Sequence, residues 1–92
     1  MIKSFRHRGL ERLFLEKDSS GVPPHHAERI RNRLIFLDSA TTVEELNLPG
    51  WRLHRLSGNR KSLYSIRVTG NWRITFEFID GDAYIVNYED YH

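Results

Sequence analysis

His54, Arg67, Arg73, Asp90 and His92 are residue types that together can cleave RNA without a metal ion. In that reaction a 2′-hydroxyl attacks its own phosphate, so the nucleophile belongs to the substrate. The protein must take one proton, return another and neutralise charge on the phosphorane. Imidazoles and carboxylates move protons, while a guanidinium keeps its charge and grips phosphate through paired N–H groups. Proton transfer contributes about 10²–10⁴-fold in rate per group. A charge aimed at the phosphate adds about 10²–10³. Tyr88 or Tyr91 could stack on a base, the usual way of holding single-stranded RNA.

These side chains act together only if the fold brings them to one surface. Ile2–Phe5 reads as a short edge strand. Leu10, Leu13 and Phe14 fall at helical spacing within Gly9–Lys17, and Ser19-Ser20-Gly21 ends that helix. Val22-Pro23-Pro24 opens a second helix, with Ala27, Ile30, Leu34 and Leu37 as its buried stripe and Arg29, Arg31 and Arg33 on the other face. After Pro49-Gly50 the chain reads as strands. Trp51 and Leu53 oppose Arg52 and His54. Tyr64, Ile66 and Val68 oppose Leu63, Ser65 and Arg67. Trp72, Ile74, Phe76 and Phe78 oppose Arg73, Thr75, Glu77 and Ile79. The expected class is α+β: a short N-terminal strand, two helices, then an antiparallel meander with one face covered by the helices.

Register sets the company each residue keeps. A three-residue loop at Thr69-Gly-Asn71 pairs Val68 with Trp72, Ile66 with Ile74 and Tyr64 with Phe76, leaving Arg67 beside Arg73. Asp80-Gly81 is a two-residue hairpin signal. An even loop there puts Ala83 and Ile85 on the core side, and Tyr88, Asp90 and His92 on the face of Arg73. A three-residue loop would reverse that choice. With the even loop, one face gathers Arg52, His54, Arg67, Arg73, Asp90 and His92, edged by the basic loop Ser57-Gly-Asn-Arg60-Lys61.

Composition limits the alternatives. Ninety-two residues are expected to form one domain spanning 1–92, with 39% hydrophobic and 12% aromatic residues to pack it. No apolar run reaches the length of a membrane span, and the N-terminus lacks a signal-peptide pattern. The absence of cysteine excludes disulfides and thiolate metal sites, and fits the cytoplasm. No cofactor or metal is expected. Net charge is +2, and most of the fourteen basic residues are arginine, which suits phosphate contact. Each site residue also has a plainer reading. His54 could be a solvated histidine, Arg67 and Arg73 could pair with Glu77 or Glu89 across strands, and Asp90 and His92 could be tail residues. His7, His25 and His26 read as solvated polar positions, and Trp72 and Trp51 as core.

Ile2-Lys-Ser-Phe5, Leu-Ser-Gly-Asn-Arg60, Ser65-Ile-Arg-Val68, Asn71-Trp-Arg-Ile74 and the closing Asn-Tyr-Glu-Asp-Tyr-His92 closely resemble HigB toxins, a branch of the RelE/ParE superfamily of type II toxin–antitoxin systems. The resemblance spans essentially the whole chain. It implies a microbial-RNase-like sheet and a ribosome-dependent mRNA endonuclease that inhibits translation. It also implies neutralisation by a helix-turn-helix HigA-type antitoxin, through which alone operator DNA would be bound. By similarity, His54, Arg73, Asp90, Tyr91 and His92 carry or support cleavage. Arg73 would steady the phosphorane, His54 or His92 would shuttle protons, and Asp90 would orient an imidazole or act as base. Arg60, Lys61 and Arg67 would hold RNA backbone. Some relatives carry lysine where this chain has Ser57, so Arg60 or Lys61 would have to take its part. A ParE-like poison of gyrase without nuclease chemistry, or a module that only binds nucleic acid, are the competing readings. Neither has a use for Asp90 and His92 as an acid–base pair.

Overall fold

The computed structural model describes residues 1–90. Helix α1 spans Arg8–Glu16 and α2 spans Ala27–Ser39, followed by strands β1 (His54–Arg55), β2 (Tyr64–Thr69), β3 (Trp72–Ile79) and β4 (Asp82–Asp90). Short 3-10 turns occupy Val43–Leu46 and Gly58–Arg60. The strands form one antiparallel sheet in the order β1-β2-β3-β4. This is the expected α+β arrangement.

Helix α1 starts where His7 caps it, its Nδ1 accepting from the Leu10 N–H at 3.2 Å. It closes at Lys17, which adopts the left-handed conformation at φ 58°. Helix α2 begins after the Pro23-Pro24 pair rather than on it. A residue preceding proline is pushed away from helical backbone, which removes both Val22 and Pro23 as starting positions. The pair instead forms a turn, with His26 N–H donating to Pro23 O at 2.9 Å. Leu10 and Leu13 of α1, and Ile30, Leu34 and Leu37 of α2, are buried with Ile66, Ile74, Phe76 and Val86 of the sheet in one hydrophobic cluster.

The β2–β3 register matches Tyr64 with Phe76, Ile66 with Ile74 and Arg67 with Arg73. The turn itself is tighter than expected. Thr69 rather than Val68 faces Trp72, and the register shifts between Arg67 and Thr69. Strand β1 is shorter than its alternating pattern implied, because Arg52 takes a positive φ of 48° and leaves the strand line. Trp51 and Leu53 still point inward and Arg52 and His54 outward.

Strand β4 corrects the expectation most consequential for the site. Its hairpin begins as the Asp-Gly signal requires, with Ile79 facing Asp82 and Phe78 facing Ala83. The register then shifts between Thr75 and Glu77, where Ile85 adopts a positive φ of 49°. One extra residue in a strand reverses the facing of every side chain beyond it. Val86 and Tyr88 therefore turn inward, Glu89 lies opposite Arg73, and Asp90 lies opposite Trp72.

The cause is non-local. The segment Met1–His7 runs beside β4, touching it as two isolated parallel bridges, Ile2–Ala83 and Phe5–Val86, rather than as the short strand expected at Ile2–Phe5. Ser4 Oγ accepts the N–H of the bulged Ile85 at 2.8 Å, and Val86 N–H donates to Ser4 O at 3.1 Å. The backbone groups that the bulge removes from the β3–β4 ladder thus find partners on the N-terminal segment.

Candidate active site

The face of the sheet away from the helices carries two rows of side chains. The first crosses four strands as His54, Ser65, Thr75 and Asn87; the second crosses three as Arg67, Arg73 and Glu89. His54 and Arg73 are two strands and one row apart, roughly 12 Å between Cα atoms at ordinary sheet spacings. Both side chains are long enough for their heads to meet at one phosphate. Sequence alternation alone placed His54, Arg67 and Arg73 together, and the structure keeps them on one face.

His54 is exposed, and its Nδ1 lies 2.9 Å from the Arg52 carbonyl oxygen. A carbonyl only accepts, so Nδ1 carries the proton. In this tautomer the lone pair of the ring is on Nε2. The irregular backbone at Arg52 therefore sets the tautomer of His54. Arg52 itself is exposed. Arg73 is half-buried at the centre of the sheet, between Arg67 and Glu89. Arg67 donates through Nε to Gly70 O at 3.1 Å, while its own carbonyl accepts from Arg33 Nε at 2.8 Å. Ser65 is fully buried, and its hydroxyl takes no hydrogen bond among the described residues.

Glu89 is the site residue that alternation missed. Its Oε2 accepts from Thr75 Oγ1 at 2.6 Å, from Asn87 Nδ2 at 3.4 Å and from the Arg60 guanidinium, with which it forms an ion pair. Burial pushes its carboxyl up, but the bonds from Thr75, Arg60 and Asn87 together with the Arg60 charge outweigh that and hold it below the usual glutamate value. Arg60 therefore begins in a carboxylate's grip rather than open to phosphate. Lys61, next to it, is exposed and supports the loop through its carbonyl, which accepts from Arg55 Nε at 2.7 Å.

Asp90 is exposed at the end of β4, on the Trp72 row rather than the Arg73 row. Tyr88 is buried against Trp72, with centroids 4.7 Å apart and planes 17° from parallel, which removes it as a base-stacking platform. Its hydroxyl lies 2.7 Å from His26 Nδ1, and His7 meets the ring edge-on. His7 and His26 are thus packing partners, not the solvated positions their neighbours suggested. Of the three N-terminal histidines His7, His25 and His26, His25 alone is exposed. Tyr91 and His92 lie outside the described residues.

Comparison with known proteins decides the family. Residues 3–92 match the model of the RelE-like toxin of the type II toxin–antitoxin system HigB. The chain belongs to the HigB-like toxins. It is 55% identical over 92 residues, all of both chains, to a protein named Endoribonuclease HigB from Proteus vulgaris. It is 32% identical over 85 residues, 90% of each chain, to Toxin HigB-1 of Vibrio cholerae serotype O1. As a toxin of this type, this HigB-like chain has an antitoxin for a partner. No helix among the described residues is long and apolar enough to cross a membrane.

Proposed function

We propose that this toxin is an endoribonuclease that cleaves mRNA on the ribosome and so halts translation in the cytoplasm. The observation that carries the reading is the shared face of His54 and Arg73, with His54 held as the tautomer that offers Nε2. The name of the Proteus vulgaris relative supports it. His54 Nε2 takes the proton of the 2′-hydroxyl as its oxygen bonds to phosphorus. Arg73 neutralises the equatorial oxygens, which the N–H groups of a fixed guanidinium do at no reorganisation cost. The P–O5′ bond then breaks, and the leaving oxygen takes a proton from His92, a transfer that Asp90 and Tyr91 support. The products are a 2′,3′-cyclic phosphate and a 5′-hydroxyl.

None of these steps asks for a metal, since every charge and proton has a side chain assigned to it. Arg67 and Lys61 hold the RNA backbone beside the site, and Arg60 joins them when phosphate displaces Glu89. The antitoxin is of the helix-turn-helix HigA type, and operator DNA is bound through its complex with the toxin. The test is cleavage of mRNA in programmed ribosomes with EDTA present. Product with a cyclic phosphate end is expected from the wild-type protein and not from His54→Ala. Cleavage that EDTA abolishes, or that His54→Ala leaves intact, refutes the reading.

A further inference from the structure

Beside the arginine row the sheet is hollowed into an open depression of about 400 Å³ between the loop at 58–63 and β4, a size typical of small-molecule sites. Leu63 and the bulged Ile85 supply apolar wall, Arg6 and Arg60 stand at its rim, and Asn87 and Glu89 line it. The donors and acceptors here are sorted. All three bonds to Glu89 fall on Oε2, leaving Oε1 with no hydrogen bond among the described residues on a side chain that is still 23% exposed. Asn87 spends its Nδ2 on that same Oε2, so its Oδ1 is also left over. Two acceptor oxygens, one of them charged, thus line a half-apolar hollow next to the groups assigned to cleavage. Arg6 has no carboxylate partner among the described residues and is available to a phosphate at the rim.

We propose that this depression is a subsite for one nucleobase of the RNA, and that Glu89 and Asn87 select a base with an exocyclic amino group. The inference rests on the ribonuclease reading above. Adenine, cytosine and guanine each carry an amino group that donates to both acceptors, with Leu63 and Ile85 against the ring. Uracil carries the carbonyl oxygen O4 where cytosine carries its amino group, so its single donor, N3–H, serves at most one of the two acceptors while Glu89 repels its oxygens. The selection is built by the bulge. Without it Ile85 would lie inside the core, and Asn87 and Glu89 would face the helices.

The experiment measures cleavage rates on ribosome-bound mRNAs in which each position of the presented codon, and of its neighbour, is varied through the four bases. Wild-type protein is expected to cleave about tenfold or more slowly when one particular position is uracil, the loss of one hydrogen bond to a charged acceptor. Glu89→Gln keeps an oxygen for Thr75 and Arg60 but turns an amide N–H₂ toward the hollow. It is expected to narrow or reverse that ratio. Asn87→Leu is expected to narrow it as well, and melting curves establish that both variants are folded. Equal rates for all bases at every position, or a ratio unchanged in both variants, overturns the subsite while leaving the nuclease standing. No cleavage of any mRNA by the wild-type protein overturns both.

Discussion

Replacing Tyr88 tests the register of β4, on which the composition of the site depends. The ring lies 4.7 Å from Trp72 in a stacked pair, and its residue is only 6% exposed. Tyr88→Phe removes the hydroxyl that meets His26 Nδ1 at 2.7 Å and leaves the stack. His26 is half-buried and can turn to water, so the cost is that of one ordinary hydrogen bond, about 1 kcal/mol. In a chain of this size that lowers Tm by about 4–8 °C. Tyr88→Ala removes the ring as well and costs about 3–5 kcal/mol. The whole stability of such a domain is roughly 5–14 kcal/mol. Urea and thermal melts followed by near-UV circular dichroism should therefore show a folded Phe variant and an Ala variant close to unfolding at 37 °C. Without the bulge Tyr88 would stand on the polar face, where truncation is nearly free. An Ala variant within about 1 kcal/mol of wild type would thus refute the register, and with it the placement of Glu89 beside Arg73.

Acidification should weaken the fold through His7, whose burial, with Arg12 nearby, lowers its pKa below 6.5 against the opposing effect of a backbone hydrogen bond. The folded state then prefers the neutral ring, so this stability is complete above pH 6.5 and is lost as pH falls below it. His7→Asn keeps a capping oxygen without a titrating ring and should flatten Tm between pH 7 and 5; an unchanged slope would count against the cap. Gly9→Ala should destabilise by about 1–3 kcal/mol, since its Cβ would press on the Gly21 carbonyl and lie 2.7 Å from His7 Cε1. A urea midpoint equal to wild type would show that the α1 end is looser than described. At the alkaline end, burial pushes Tyr88 up to about 12, with Arg33 opposing and Asp90 adding to the rise. Stability carried by its neutral form should be lost as pH climbs from 10 toward 12, and Tyr88→Phe should remove that part of the loss.

What the sequence made legible was local. Alternation in Tyr64–Val68 and Trp72–Phe78 carried the β2–β3 register up to the turn, and with it the pairing of Arg67 and Arg73. The helices followed from apolar spacing, missing only where two prolines delayed α2. The β4 bulge was hidden because its determinants lie some eighty residues away. Ser4 accepts the Ile85 N–H, and nothing in the run Asp82–Asp90 announces that a β-branched residue will take a positive φ. The same slip concealed Glu89 as a member of the site and made Asp90 look like a neighbour of Arg73. Asp90 keeps its candidacy through its family motif and its place at the end of β4, not through register. The two half-buried histidines, His7 and His26, look solvated in the sequence for a similar reason: their partner, Tyr88, reaches the buried face only through the bulge.

Cleavage as proposed requires both Arg73 and the segment Asp90–His92. The direct test is cleavage of ribosome-bound mRNA by wild-type protein, Arg73→Ala and a chain ending at Glu89, each verified as folded by melting. Loss of one transition-state contact of this kind costs about 10²–10³-fold in rate. At least that loss is expected in both variants, with cyclic phosphate ends on whatever product remains. Wild-type rates from the shortened chain, or from Arg73→Ala, would contradict that requirement.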